Sequence, residues 1–222
     1  MGLSDQLRNK AEPIWDQILN HKFITGLGDG SLPLDRFKFY LRQDYLFLVE
    51  YARVLAIASA KAPNLEGMTR FATLLHATLS QEMNLHRRYC AGFGINEDDL
   101  KDTKISPATS NYANYLLAVA HQDTVREIAA SLLPCQWGYY EIGLKLAAEG
   151  DLSDSNPYAE WIKTYSSEEF RDLTDWLRGY LDKLGQGISP ANRKHLEETF
   201  LMSCRYEYQF WQMGLSKESW LT

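Results

Sequence analysis

The chain has 222 residues, 45% of them hydrophobic and 23% charged, a globular balance with enough length to bury a sizeable core. Its formal charge of −6 and the lack of any Lys/Arg cluster argue against nucleic acid as a partner. No apolar run approaches the ~20 residues that span a bilayer. The opening MGLSDQLRNKAEPIW is polar, with no secretory leader, and Gln6 breaks the myristoylation pattern. A cytoplasmic address is therefore expected, with no membrane partner. The three cysteines, Cys90, Cys135 and Cys204, form no C-x-x-C pair, which excludes a zinc ribbon or thioredoxin-like motif. Thiols are expected in such a compartment. No internal repeat or linker divides the chain, so residues 1–222 are expected to form one domain.

In chain order, the first helix is expected from about Ser4 to His21 with Ser4 as its cap. The stretch Gly26-Leu27-Gly28-Asp29-Gly30 stops it; no strand precedes this stretch, so it is a loop and not a dinucleotide fingerprint. Ser31 opens a second helix, with Pro33 in its first turn, running to about Ala62. Its apolar positions Phe37, Leu41, Tyr45, Leu48, Ala52 and Leu55 follow three- and four-residue steps. A third helix covers about Leu65 to Phe93 and a fourth about Ser106 to Gln122. The fifth, about Val125 to Ala148, contains Pro134 and should kink there. Helices around Tyr158–Tyr165, Ser167–Lys183 and Pro190–Met213 complete the chain. No segment alternates with period two, and the class is all-α, a helical bundle.

Rings are dense in this sequence, with 13 Tyr, 9 Phe and 6 Trp. They can fill a core and an oligomer interface, or they can stack on a flat ligand. Four segments could carry chemistry: Gln43-Asp44-Tyr45-Leu46-Phe47, Asn111-Tyr112, Pro134-Cys135-Gln136-Trp137-Gly138-Tyr139-Tyr140-Glu141 and Tyr206-Glu207-Tyr208-Gln209-Phe210-Trp211. Cys135 follows the helix-interior proline and shares a face with Tyr139, four residues on. The residues alone favour a buried core thiol, since no local cation pushes it toward thiolate. Asp44 is either a surface carboxylate or a buried one that pairs with a ligand's N–H groups. Glu207, flanked by rings, is either at the surface or a general acid or base. A di-iron centre would need Glu-x-x-His pairs, and no histidine here has an acidic residue three before it; Glu82 and His86 form one weak four-residue pair. His21 suits a helix C-cap better than a haem ligand.

Taken together these segments resemble the TenA (thiaminase II) family over nearly the whole chain. The resemblance rests on Gly-Ser-Leu-Pro…Phe-x-x-Tyr-Leu-x-Gln-Asp-Tyr-x-Phe-Leu at 30–48, Tyr112, Pro-Cys-x-Trp-Gly-Tyr at 134–139, Tyr158-Ala-Glu-Trp-Ile-Lys-Thr-Tyr165 and Glu207-x-x-Phe-Trp211. It implies a fold similar to haem oxygenases, a homotetramer, and neither haem, metal nor other cofactor. It also implies a hydrolase of thiamin metabolism acting on thiamin or on 4-amino-5-aminomethyl-2-methylpyrimidine. In that reading Cys135 is the nucleophile, and Glu207 and Tyr112 handle protons. Asp44 binds the pyrimidine's amino group and a ring nitrogen, and Phe47, Tyr139, Tyr165 and Phe210 wall the ring. The alternatives are a non-catalytic pyrimidine-binding or regulatory protein and a metal- or haem-dependent oxygenase on the same scaffold.

Overall fold

The computed structural model describes residues 2–221, without the side chains of Gln81 and Glu97, and every regular element among them is a helix. The expected first helix is instead three: α1 (Leu3–Lys10), α2 (Glu12–Leu19) and α3 (Lys22–Gly28). Pro13 lies in the first turn of α2, where its missing N–H costs nothing, and the chain restarts its helix there after the break at Ala11. Ala11 closes α1, its N–H bonding the Leu7 and Arg8 carbonyls at 3.0 and 3.1 Å. Ser4 is not the cap: Gly2 holds that position, and the Ser4 N–H donates to Asp182 at 2.7 Å. His21 is an N-cap rather than a C-cap, its Nδ1 accepting from the Phe23 N–H that opens α3 at 3.2 Å. The glycine-rich stretch is partly helical, and only Gly30, at φ 75°, takes the left-handed turn that glycine permits.

The second helix is α4 (Leu34–Lys61), starting after Pro33 rather than at Ser31. The third is interrupted: α5 (Leu65–Ala77) passes through a π turn (Thr78–Glu82) into α6 (Met83–Gly92). A short α7 (Glu97–Lys101) follows where no helix was expected; Asn96 caps it, accepting from the Asp99 N–H at 2.9 Å. Then come α8 (Pro107–Gln122), α9 (Val125–Glu149), α10 (Ala159–Tyr165), α11 (Glu168–Leu184) and α12 (Pro190–Ser216). Ser106 and Ser167 cap α8 and α11 as side-chain acceptors. α9 continues through Pro134.

Contacts divide the chain into two compact units. The first comprises the residues up to Pro33 and Ala129–Gln212; the second comprises Leu34–Ile128 and the residues from Met213 on. The division falls inside α9 and inside α12. The first unit's core is aromatic: Trp15 stacks on Phe200 with centroids 6.1 Å apart, and Trp161 and Trp211 are fully buried. Each such side chain adds about 1.5–3 kcal/mol of burial free energy before chain entropy is counted. In the second unit α4 packs on α5, α6 and α8 over Phe37, Tyr40, Val54, Phe71 and Leu116. No helix among the described residues is long and apolar enough to cross a membrane.

Candidate active site

In the second unit, Tyr40, Asp44, Phe47 and Tyr51 rise along α4 in steps of four, three and four, which places them on one face. All four are buried, so Asp44 is not a surface carboxylate. Its partner is His86 of α6, whose Nε2 stands 2.8 Å from Asp44 Oδ2. Tyr40 Oη–H donates to the same oxygen at 3.1 Å. Burial by itself pushes the His86 pKa down, but the Asp44 charge and hydrogen bond, with Glu82, leave it raised. The Phe47 ring lies against Tyr112 of α8, centroids 4.8 Å apart.

Gln43 fixes α8 relative to α4. Its Nε2 donates to the Lys104 carbonyl at 2.9 Å, and its Oε1 accepts from the Ser106 N–H at 2.8 Å. Ser106 in turn caps α8 through its Oγ, which accepts from the Thr109 N–H at 3.2 Å. The buried amide of Gln43 is thereby paired at both ends, as a buried polar group must be.

In the first unit, Cys135 stands out by exposure. From Ala129 to Tyr139 every residue is buried except Cys135, which is half-buried. Cys90 and Cys204 are buried. Burial pushes the Cys90 thiol up to about 11, with Arg42 opposing, and it pushes Cys204 up further, with Glu207 adding to it. Tyr139, one helical turn beyond Cys135, packs on Tyr165 at 4.9 Å and on Trp211 at 5.0 Å, and Trp161 lies 4.5 Å from Tyr165. Gly143 permits this arrangement, since a Cβ there would sit 2.6 Å from the Tyr165 carbonyl carbon. Glu207 is buried, as is Phe210 three residues on. Glu207 lines a crevice too narrow to hold a water molecule, with Trp15, Pro134, Gly138, Cys204 and Trp211.

The expected site residues thus form two groups, one per unit: Asp44, Phe47 and Tyr112 in the second, and Cys135, Tyr139, Tyr165, Glu207 and Phe210 in the first. Sequence reasoning missed His86 as the partner of Asp44, having weighed it only against Glu82 as a metal pair. It also left Gln43, Trp161 and Trp211 without a task, although each lies in a segment it singled out. Among the described residues no three His, Cys, Asp or Glu side chains gather as a metal-holding group.

The fold and the sequence as a whole have counterparts among known proteins. A domain of unknown function with a heme oxygenase-like fold from Shewanella denitrificans OS217 superposes with a TM-score of 0.73 at 17% identity, over 96% of this chain and 92% of that one. That places the architecture. A TenA homologue from P. horikoshii OT3 superposes with a TM-score of 0.89 at 30% identity, covering 97% of this chain and 99% of its own. An aminopyrimidine aminohydrolase from Halalkalibacterium halodurans is 42% identical over 220 residues, 99% of this chain and 98% of that protein. The model of the TENA/THI-4/PQQC family matches residues 8–217. The chain belongs to that family.

Proposed function

We propose that this protein is an aminopyrimidine aminohydrolase of thiamin salvage, with Cys135 as nucleophile. The single observation that carries the assignment of the nucleophile is the exposure of Cys135 within an otherwise buried run, beside two cysteines sealed in the core. The likeness to the Halalkalibacterium aminohydrolase over nearly the full length of both chains supports the reaction class. The family match from residue 8 to 217 spans both compact units, which supports reading residues 1–222 as one functional module.

The substrate is 4-amino-5-aminomethyl-2-methylpyrimidine, and the products are ammonia and the 5-hydroxymethyl compound. The Cys135 thiolate adds to the ring carbon next to the one bearing the aminomethyl arm. The electron pair released into the ring then expels the arm's nitrogen, which leaves as ammonia on taking a proton. Water adds to the resulting exocyclic methylene and gives up a proton, and the carbon–sulfur bond breaks to restore the aromatic ring. Covalent catalysis of this kind divides one difficult displacement into easier steps. Glu207 and Tyr112 supply and recover the protons. Glu207 is buried, which shields the proton transfers from bulk water. Asp44 takes the ring's exocyclic amino group, and Phe47, Tyr139, Tyr165 and Phe210 bound the ring.

The protein works as a homotetramer. Leu65, Met68 and Leu79 support this assembly; they are exposed at 79, 41 and 49% along one helical stretch, and apolar side chains so placed seek cover. The test of function is to incubate the protein with the aminomethylpyrimidine and measure ammonia and the hydroxymethyl product, with thiamin run in parallel. Stoichiometric release is expected, and the ratio of the two kcat/KM values identifies the preferred substrate. Binding of the pyrimidine without either product would favour the non-catalytic alternative.

A further inference from the structure

His86 is a buried ionisable group for which the chemistry above has no use. It sits on α6 just after the π turn, with a side-chain exposure of 2% against 3% for Asp44. A buried ion pair is a poor stabilising device, since desolvation offsets most of its attraction. Its geometry is more informative. Both donors to Asp44, His86 Nε2–H at 2.8 Å and Tyr40 Oη–H at 3.1 Å, fall on Oδ2. A carboxylate oxygen has two lone pairs, so Oδ2 is filled and Oδ1 is left for a ligand.

We propose that His86 is a positioning and specificity-determining residue: with Tyr40 it fills Oδ2 and keeps Asp44 an acceptor-only carboxylate, whose Oδ1 accepts an amino group and rejects an oxo group at the same ring position. The inference rests on the assignment of Asp44 to the ring's amino group made above. A 4-aminopyrimidine presents N–H donors to Oδ1. Its 4-oxo counterpart presents an oxygen at that position and carries its N–H on the adjacent ring nitrogen, so in the same pose two acceptors meet without a hydrogen bond. A protonated Asp44 could donate to that oxygen and lose the distinction. The positive charge of His86 opposes this protonation. The charged groups acting on His86 are Asp44 from α4 and Glu82 from the π turn, and together they outweigh the effect of burial and raise its pKa. Tyr40 is the other titratable group in the cluster.

The test is equilibrium binding, by calorimetry, of 4-amino-5-hydroxymethyl-2-methylpyrimidine and its 4-oxo counterpart to wild type, His86→Gln and Tyr40→Phe. Wild type should prefer the amino compound by at least about 100-fold and hold that preference between about pH 8 and pH 5. His86→Gln keeps a donor without the charge. Its preference should fall by at least about tenfold. Tyr40→Phe keeps the charge and should weaken both compounds together, leaving the ratio within about twofold. An unchanged ratio in His86→Gln across that pH range, or a wild type that does not discriminate, overturns the proposal. Should His86→Gln fail to fold, ring-nitrogen NMR of wild type decides: a mostly protonated His86 ring at pH 6.5 is expected, and a mostly neutral ring there overturns the proposal. Ammonia release is a separate measurement, so a protein that discriminates but does not turn over sinks the reaction and not the role of His86.

Discussion

At Cys90 and Cys204 burial holds the thiol protonated, to about 11 at Cys90, and a protonated buried thiol neither attacks nor alkylates. Iodoacetamide at neutral pH should therefore modify Cys135 ahead of both, as read by peptide mass spectrometry, and the hydroxymethyl product should slow it. Faster labelling of Cys204 would contradict the exposure on which Cys135 is chosen. His86 carries a different consequence. Its folded pKa is raised above the ordinary 6.5, so its protonated form is favoured by folding. The stability it contributes is fully present below about 6.5 and is lost as pH rises through the higher folded value. The Tm of wild type should exceed that of His86→Gln most at acid pH, with the gap closing on the alkaline side; a gap that widens with pH would reverse the sign of the pairing. These residues were unevenly legible. The sequence named Asp44, Cys135 and Glu207 but left Asp44 and Glu207 poised between surface and core and favoured a core thiol at Cys135, because α4, α9 and α12 carry rings and apolar side chains around most of their circumference. Nothing local joins Asp44 to His86; that pairing depends on how α6 packs on α4.

At the scale of elements, three hydrogen bonds transmit the position of α4 to α8: two from Gln43 and one from the Ser106 cap. Gln43→Ala leaves the Lys104 carbonyl and the Ser106 N–H without their partner. It should cost about 1–3 kcal/mol in denaturant unfolding, and because Tyr112 rides on α8 it should also lower kcat. A variant with wild-type stability would show that the bracket is dispensable. Gly143→Ala forces a Cβ against the backbone at Tyr165, which cannot swing aside as a side-chain tip could. A loss of about 1–3 kcal/mol, seen as a lower Tm, is expected. Most elements were readable from their punctuation, as with Ser106 before α8 or Ser167 before α11. The failures have physical causes. Pro13 was passed over as the first-turn mark of a new helix. The π turn at Thr78–Glu82 leaves no mark in a periodicity of three and four, and the five-residue α7 is too short to show one.

For the whole molecule, the all-helical class followed from sequence because amphipathic periodicity survives even where individual ends are misplaced. The division into two compact units did not, since the chain leaves the first unit at Pro33 and returns to it within α9, with no linker to announce either point. The exposed Leu65, Met68 and Leu79 predict assembly at this scale: sedimentation should give four chain masses. Replacing Leu65 and Met68 together by Gln should lower that mass if their face is an interface, whereas a monomeric wild type would remove the assembly from the proposal. The central measurement is ammonia release from 4-amino-5-aminomethyl-2-methylpyrimidine by wild type and by Cys135→Ser at matched concentration, with the fold of each checked by circular dichroism. Release by wild type and a loss of at least about 10³-fold in the folded variant is the expected result. A folded Cys135→Ser protein that releases ammonia at the wild-type rate would contradict the role of Cys135 as nucleophile.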